Sequence, residues 1–262
     1  MADSDWVVVL LDLTLEAASG VRVGGPRGDN LGTDAPVLRD ARGPVLPGSS
    51  FKGVLRSAAE RLLRTMPVEE RRGDAEGPPS ACDILVDPCG GMLAAADGEA
   101  QPVDLDRLCR VCRLFGSPHF GGRLTVSDLV VVGGGNGEAA VTVIRDGVAI
   151  DRDELKASDR LKFDYEVVVP GTRFAGRLRV DDPERGDLGL LATLLDLLDL
   201  GVITVGGGAS RGLGWLRLAT PLAARRLRAS TWVIGGTPEE VDLAAERQEL
   251  RDALVGGGAR RP

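Results

Sequence analysis

The amino-acid sequence predicts an α+β fold whose elements follow the order of a ferredoxin-like βαββαβ sheet. Apolar and polar residues alternate over residues 7–16, as in a strand with one buried face. Apolar residues recur at helical spacing over residues 51–62 and again over residues 188–200. Strand-like segments lie between and after these two helices. Strand, helix, strands, helix, strand is the order of a scaffold that many RNA-binding modules share.

The remaining elements follow along the chain. A glycine-rich loop over residues 20–35 separates the first strand from the first helix. In the strand at 174–180, three arginines lie opposite the apolar residues, which favours a solvated face over an RNA track: Arg173, Arg177 and Arg179. Three further strands and a charged C-terminal helix complete the prediction, at residues 124–132, 163–169, 174–180 and 238–254.

Length and composition bound the class of protein. With 262 residues, of which 43% are hydrophobic, the chain can bury a full core as one elaborated domain or two small ones. We predict a single domain over residues 1–262. No run approaches the roughly 18 apolar residues of a membrane span, since Asp12 interrupts the nearest N-terminal candidate. No basic start precedes an apolar stretch, so we expect a cytoplasmic location.

The net charge of −7 argues against a surface coated with basic residues for nucleic acid. The charge is uneven, however, because arginines recur beside glycine-rich motifs while acidic residues concentrate elsewhere. Aromatic side chains for stacking bases are few: three Trp, one Tyr and five Phe. Any contact with RNA is therefore expected to involve its backbone more than its bases.

The first helix has a start that is suited to binding an anion. Pro47 and a glycine end the preceding extended run, Ser49 or Ser50 can cap the helix, and its free N–H groups carry the positive end of the dipole. Lys52 and Arg56 lie four residues apart, off the buried stripe. An ordinary capped helix with solvated cations explains the pattern equally well. The stripe itself comprises Phe51, Val54, Leu55, Ala58 and Leu62.

A glycine-rich loop over residues 206–214 is a second candidate for phosphate binding. Its glycines leave a bare backbone that a polyanion can approach, and Arg211 supplies charge. It lacks the Lys-Ser/Thr ending of a P-loop. A flexible hairpin is the alternative. The candidate RNA-binding residues of this loop are Gly206, Gly207, Gly208, Ser210, Arg211 and Gly212.

An insertion over residues 73–119 holds all four cysteines: Cys82, Cys89, Cys109 and Cys112. Four soft ligands suit a tetrahedral zinc ion, and a CxxC pair places two thiolates on one ion. Because the insertion is rich in proline and glycine, zinc would supply the stability that it lacks. Redox-active thiols, disulfides or four unrelated thiols are the alternatives, although a cytoplasmic location disfavours disulfides. His119 is a further possible ligand.

Four separated motifs resemble those of one family, in the same order. They are Pro-Gly-Ser-Ser-Phe-Lys-Gly at 47–53 with Arg56, Cys-Arg-Val-Cys-Arg-Leu-Phe-Gly at 109–116, Arg-Asp-Gly-Val-Ala-Ile-Asp-Arg at 145–152, and the loop at 206–214. The chain is similar to the RAMP superfamily of CRISPR-associated proteins, above all to the repeated backbone subunit of type III effector complexes. The chemistry of the second insertion, residues 141–160, does not by itself indicate a function.

The resemblance implies that copies of the chain stack along a CRISPR guide RNA beside other type III effector subunits. It implies that the first helix and the loop at 206–214 hold guide phosphates. The insertion at 141–165 would be a thumb that splays the duplex of guide and target RNA at regular intervals. The closest alternative is a non-catalytic scaffold subunit of the same complexes. A guide-processing nuclease of the superfamily disagrees with the motifs at 47–53 and 145–152.

The resemblance also implies a catalytic aspartate for target cleavage in the loop after the first strand. The matching stretch is Asn-Leu-Gly-Thr-Asp-Ala-Pro-Val at 30–37, which assigns the role to Asp34, with Ala35 where the family has Asn. A carboxylate can hold a divalent metal such as Mg²⁺ or orient a ribose 2′-hydroxyl. With one histidine in the chain, a two-histidine acid–base pair is excluded. Considered without the family, Asp34 is a turn residue that caps its own loop.

Overall fold

The computed structural model describes residues 5–25, 33–65, 81–83, 89, 108–117, 120–133, 142–150 and 157–255. Strand β1, Val7–Ala17, lies inside an antiparallel sheet of nine strands in this part of the chain. The other strands of this sheet are β2 Arg39–Asp40, β3 Gly43–Leu46, β4 Leu124–Val126, β5 Leu129–Val132, β8 Arg173–Asp181, β9 Leu216–Leu218, β10 Ala223–Arg228 and β11 Glu239–Glu240. The order along the sheet is β11-β10-β1-β8-β5-β3-β2, with β4 paired to β8 and β9 paired to β1.

The alternation predicted for β1 is confirmed. Its residues Val9, Leu11, Leu13 and Leu15 are buried in the core. The opposite face of the strand is polar from Asp12 onward, and each of its carboxylates binds two arginines from neighbouring strands. The pairs are Asp12 with Arg177 and Arg225, and Glu16 with Arg173 and Arg217. These arginines are exposed, as expected of a solvated face.

Helices cover the apolar face of the sheet. Helix α1 buries Phe51, Leu55 and Ala58 of the predicted stripe, whereas Val54 and Leu62 are partly buried. Helix α3 contributes a leucine-rich stripe to the same core. No helix in the described part of the chain has the length and apolar character needed to cross a membrane. The helices are α1 Gly48–Arg64, α2 Arg110–Phe115, α3 Asp187–Asp199, α4 Ala229–Val233 and α5 Leu243–Val255.

Two predicted elements need correction. The strand expected at 124–132 is two strands, β4 and β5. Between them the Ser127 hydroxyl accepts the Arg177 N–H at 2.9 Å, and the Asp128 carboxylate accepts the N–H of Gly48 at 2.8 Å. The C-terminal helix does not start at residue 238. Residues 239–240 form strand β11, and Asp242 accepts the N–H groups of the first turn of α5.

Strands β6, Thr142–Ile150, and β7, Ala157–Val168, form a separate antiparallel hairpin in the region of the second insertion. Its base joins the main body through β7. The backbones of Val21 and Val168 exchange hydrogen bonds of 3.0 and 2.8 Å. The loop that follows β1 therefore runs beside β7.

Candidate functional site

A cleft of about 470 Å³ opens where the loop after β1, strand β7 and the glycine-rich loop meet. The sequence predicted Asp34 and the glycine-rich loop as separate candidates, and the structure brings Asp34, Gly208, Ser210 and Arg211 together in this cleft. The full lining comprises Arg22, Asp34, Ala35, Phe163, Asp164, Tyr165, Gly208, Ser210, Arg211 and Leu213.

Asp34 is exposed and is held at the cleft by reciprocal hydrogen bonds with Asp164 of β7. Oδ1 of Asp164 accepts the Thr33 hydroxyl and the Asp34 N–H, both at 2.7 Å. The Asp164 N–H returns a bond of 3.2 Å to Oδ2 of Asp34. Two carboxylates therefore lie side by side at one edge of the cleft.

Glu166 of β7 continues this contact two residues further along the strand. Its carboxylate accepts the Val37 N–H at 3.0 Å, and its own N–H donates to the Ala35 carbonyl at 3.0 Å. Arg39 forms an ion pair with the same carboxylate. Burial by itself would raise the pKa of Glu166, but hydrogen bonds from Thr142, Val37 and Arg39 hold the pKa below its usual value. The carboxylate is therefore charged at neutral pH.

The lining of the cleft also includes cationic and aromatic side chains. The guanidinium of Arg22 lies 5.8 Å from the ring centre of Tyr165, and that of Arg211 lies 5.5 Å from the ring centre of Phe163. The two rings stack at 6.1 Å with 28° between their planes. Sequence reasoning missed Arg22, Phe163, Asp164 and Tyr165 as site residues. The available signal was Phe163 and Tyr165, two of nine aromatic residues, spaced two apart in a strand.

The loop at 206–214 is a tight turn and not a hairpin between two strands. Gly206 has a φ of 88° and packs on the carbonyl of Arg22, which accepts the Gly207 N–H at 2.8 Å. Residues Ala209–Arg211 form a 3₁₀ turn, and Gly212 follows it with a φ of 78°. A side chain at Gly206 would collide with the Arg22 backbone. These glycines hold the loop against Arg22 and present Ser210 and Arg211 to the cleft.

At the start of α1, the prediction that Ser49 or Ser50 caps the helix is wrong. The cap residue is Pro47, which provides no side-chain hydrogen bond, and both serines lie exposed in the first turn. Gly48 fits here because its N–H reaches Asp128 and a Cβ atom would collide with the backbone of β4. The serines present hydroxyl and backbone groups to solvent at the positive end of the helix.

Lys52 and Arg56 of α1 make contacts within the protein. The Lys52 ammonium donates to the Leu124 carbonyl at 2.6 Å, and burial lowers its pKa, with a further contribution from Arg56. Arg56 donates to Glu60 at 2.9 Å and to the Gly116 carbonyl at 2.5 Å. Among the described residues, α1 contributes none to the cleft lining. The periodicity of α1 predicts that this face is exposed to solvent, whereas Cys112, Gly116 and Leu124 contact it in the structure.

The four cysteines converge, which excludes the alternative of four unrelated thiols. Their Sγ atoms all lie within 4.8 Å of one another, and those of Cys82 and Cys112 are 3.6 Å apart. A tetrahedral zinc with Zn–S bonds of about 2.3 Å needs sulfurs about 3.8 Å apart. All four are free thiols and three are buried: Cys82, Cys109 and Cys112. The cluster can hold a metal ion such as zinc. His119 lies outside the described residues.

Hydrogen bonds around the cysteine cluster favour thiolates. Cys89 Sγ accepts the Cys109 N–H at 3.2 Å, Cys109 Sγ accepts the Cys112 N–H at 3.4 Å, and Arg56 donates to Cys112 Sγ at 3.5 Å. Within the cluster, hydrogen bonds from Cys109 and Cys112 lower the pKa of Cys82, whereas the hydrogen bonds of Cys109 with Cys112 and Cys82 raise the pKa of Cys109. One thiolate is thus stabilised without a cation, and a bound cation would stabilise the others.

The protein-family model of the RAMP superfamily matches residues 14–217 of this chain. This chain belongs to that superfamily. The RAMP match begins within β1 and ends within β9, so it includes the cleft, the hairpin and the cysteine cluster, whereas β10, β11, α4 and α5 follow it. Membership supports a CRISPR-associated, RNA-binding role. No curated protein matches the chain significantly.

Proposed function

We propose that this RAMP protein is a guide-RNA-binding backbone subunit of a type III CRISPR effector that cleaves complementary target RNA at regular intervals. In this proposal residues 1–262 form one cytoplasmic domain with a ferredoxin-like core, which is also the core of RNA-recognition motifs. The strand order β10-β1-β8-β5, antiparallel throughout, supports that core. The residues at 73–119 would be a zinc-binding insertion, and the hairpin region at 141–165 would be the thumb.

Guide RNA is proposed to bind through phosphate contacts at two places. The first is the start of α1, where Ser49 and Ser50 are exposed and where Lys52 and Arg56 add positive charge behind the helix end. The second is the glycine-rich loop. Its proposed contacts are Gly206, Gly207, Gly208, Ser210, Arg211 and Gly212. Such contacts position a strand without reading its sequence, as a subunit that repeats along one guide requires.

The observation that carries the cleavage proposal is that Asp34 shares one cleft with Arg211 and with the stacked rings of β7. A target strand in this cleft would have its phosphates near Arg22 and Arg211. The rings of Phe163 and Tyr165 would offer stacking surfaces to its bases. Its ribose would then face the exposed carboxylate of Asp34.

The proposed step is an in-line transesterification. The ribose 2′-oxygen attacks the adjacent phosphorus, its proton passes to the Asp34 carboxylate, and the bond from phosphorus to the 5′-oxygen breaks. The leaving 5′-oxygen takes a proton from water, and the Asp34 carboxylic acid then returns its proton to the solvent. The products are a 2′,3′-cyclic phosphate and a 5′-hydroxyl. A divalent cation such as Mg²⁺ would stabilise the charge that develops on the phosphate oxygens. Arg211 would neutralise part of the same charge.

The test is target cleavage by the assembled complex with guide RNA and Mg²⁺. Wild type should cut at a constant spacing, and Asp34→Ala should bind guide and target with unchanged affinity but stop cutting, since the carboxylate acts only in the transition state. Asp40→Ala is the matched control, because the Asp40 carboxylate is bonded to Arg42 within its own turn. Target with 2′-deoxy residues at the cut positions should bind and stay intact. Cleavage by Asp34→Ala would contradict the assignment.

The alternative is a non-catalytic scaffold subunit that binds guide RNA. One observation favours it, because Oδ2 of Asp34 already accepts the Asp164 N–H, as in a turn residue. A wild-type complex that binds target with Mg²⁺ present and never cuts it would establish the scaffold function.

A further inference from the structure

We infer that Asp164 and Glu166 of β7 are positioning residues that hold the Asp34 carboxylate in place for target cleavage, an inference that rests on the proposed function. The segment at 33–37 lies along β7 and is bonded to it at alternating positions. Asp164 accepts from Thr33 and Asp34, and Glu166 accepts from Val37. Positions two apart in a strand lie on the same face, so both carboxylates meet the same segment.

Asp164 contacts Asp34 itself, the residue that accepts the proton in the proposed cleavage step. The Asp164 carboxylate binds the backbone of Asp34, and the Asp164 backbone binds the Asp34 side chain. An exposed aspartate normally samples several rotamers, and ordering a side chain costs entropy. Because one carboxylate oxygen of Asp34 is held by β7, the orientation of the other oxygen is set before target binds. Orientation in advance is the usual means by which a neighbouring group raises a rate without touching the substrate.

The contact with Glu166 secures the other end of the segment. Glu166 is 9% exposed, and its carboxylate also bonds Thr142 of β6 and Arg39 of β2. The hairpin, the sheet edge and the segment at 33–37 therefore meet at one buried charge. The segment that carries Asp34 is therefore held by β7 at both of its ends.

The experiment compares Asp164→Ala with Asp164→Asn in the assembled complex. Asparagine keeps an oxygen that can accept from Thr33 and Asp34, whereas alanine removes it. We expect Asp164→Ala to lower kcat for target cleavage by up to about 100-fold, the effect of a small misplacement of a reacting group. Affinity for target should stay unchanged, and Asp164→Asn should restore most of the rate. The control is Glu240→Ala, which replaces an exposed acidic residue of β11.

A second measurement does not depend on activity. The amide hydrogens of Asp34 and Val37 donate to the two carboxylates, so hydrogen exchange over residues 33–38 should be faster in Asp164→Ala and in Glu166→Met than in wild type. Glu166→Met keeps the approximate volume of this buried side chain but removes the oxygens that accept from Val37. Unchanged exchange in both variants would overturn the inference, as would a wild-type cleavage rate in Asp164→Ala.

The results separate the two levels of the proposal. If Asp34→Ala stops cleavage and Asp164→Ala cuts like wild type, the function stands and the positioning role fails. If Asp34→Ala still cuts, or if wild type binds target and never cuts, the assigned chemistry fails and the positioning role fails with it.

Discussion

Arg211 and Arg56 were both expected to meet phosphate, and the structure gives them different surroundings. Arg211 is exposed at the cleft and lies over Phe163. Arg56 is mostly buried between Glu60, the Gly116 carbonyl and the sulfur of Cys112. The guanidinium of Arg211 is therefore available to a ligand, whereas that of Arg56 stabilises the fold.

This difference predicts opposite outcomes for two alanine variants. Arg211→Ala should weaken RNA binding and reduce the slope of log affinity against log salt by about 0.7, the value for one phosphate contact with a single strand, with no change in melting temperature. Arg56→Ala should lower the free energy of unfolding by about 2 kcal/mol, because it removes hydrogen bonds of a charged group. Salt titrations and denaturant unfolding measure the two effects. Arg251→Ala on α5 is the control for charge, and an unchanged salt slope in Arg211→Ala would exclude Arg211 from the interface.

Sequence reasoning identified single residues better than it identified their neighbours. The cysteine spacing predicted the cluster, because ligand type and number are written in the sequence. The cleft required Asp34 to meet Asp164, which is 130 positions away. No periodicity or spacing rule connects residues so far apart, so Arg22, Asp164 and the two aromatic residues could be found only from the pairing of the hairpin with the loop after β1.

Helix α1 shows what periodicity predicts for an element. The apolar repeat located the helix and most of its buried residues, but not how its start is seated. Gly48 packs against the backbone at the end of β4, and Asp128 holds its N–H. Gly53, one and a half turns later, faces open space. The two glycines of one helix therefore serve different purposes.

Replacing each glycine by alanine should change stability in opposite directions. Gly48→Ala should destabilise the protein by about 1 to 3 kcal/mol, because the new methyl group must displace the Val126 and Ser127 backbone. Gly53→Ala should stabilise it by about 0.5 to 1 kcal/mol, because alanine loses less backbone entropy in a helix. Urea unfolding of both variants beside wild type checks the pair. Equal effects would show that the start of α1 is not confined by the β4–β5 connection.

In the whole molecule, the cysteine cluster is joined to the core by charged side chains. Arg56 and Arg64 of α1 reach the sulfur of Cys112 and the carbonyl of Cys82. Arg110 of α2 forms an ion pair with buried Asp187 at the start of α3, and Arg123 binds the same carboxylate at 3.1 Å. Burial raises the pKa of Asp187, against the effect of these arginines. Loss of order at the cysteine cluster would therefore also destabilise helices α1 and α3.

We expect about one zinc per chain, bound by the four thiolates. A chelator should remove the zinc and lower the melting temperature of the whole protein, since binding energy at such a site is folding energy. Cys109→Ser should have a lower zinc content, measured by elemental analysis, and a lower melting temperature that added zinc does not restore. Carefully purified wild-type protein without zinc would contradict the structural zinc site.

For the whole fold, the order of the long elements was predicted correctly from the sequence. The first strand and the two main helices have enough residues for their periodicity to be read, and they form the centre of the structure. The short strands β2, β3 and β11 have two to four residues each, which is too few to show an alternation. They add to the sheet edges through tertiary pairing, which the sequence does not reveal.

The position of β1 has a consequence for biosynthesis. This apolar strand is synthesised before its partners β8 and β10, which start only at residues 173 and 223. At 5–20 residues per second, β1 waits on the order of 10 to 30 s before its first long neighbour exists. During that time both of its edges and its row of valines and leucines are open to other nascent chains. Yield in cells should therefore depend on chaperones that shield β1, even for variants whose finished structure is as stable as wild type.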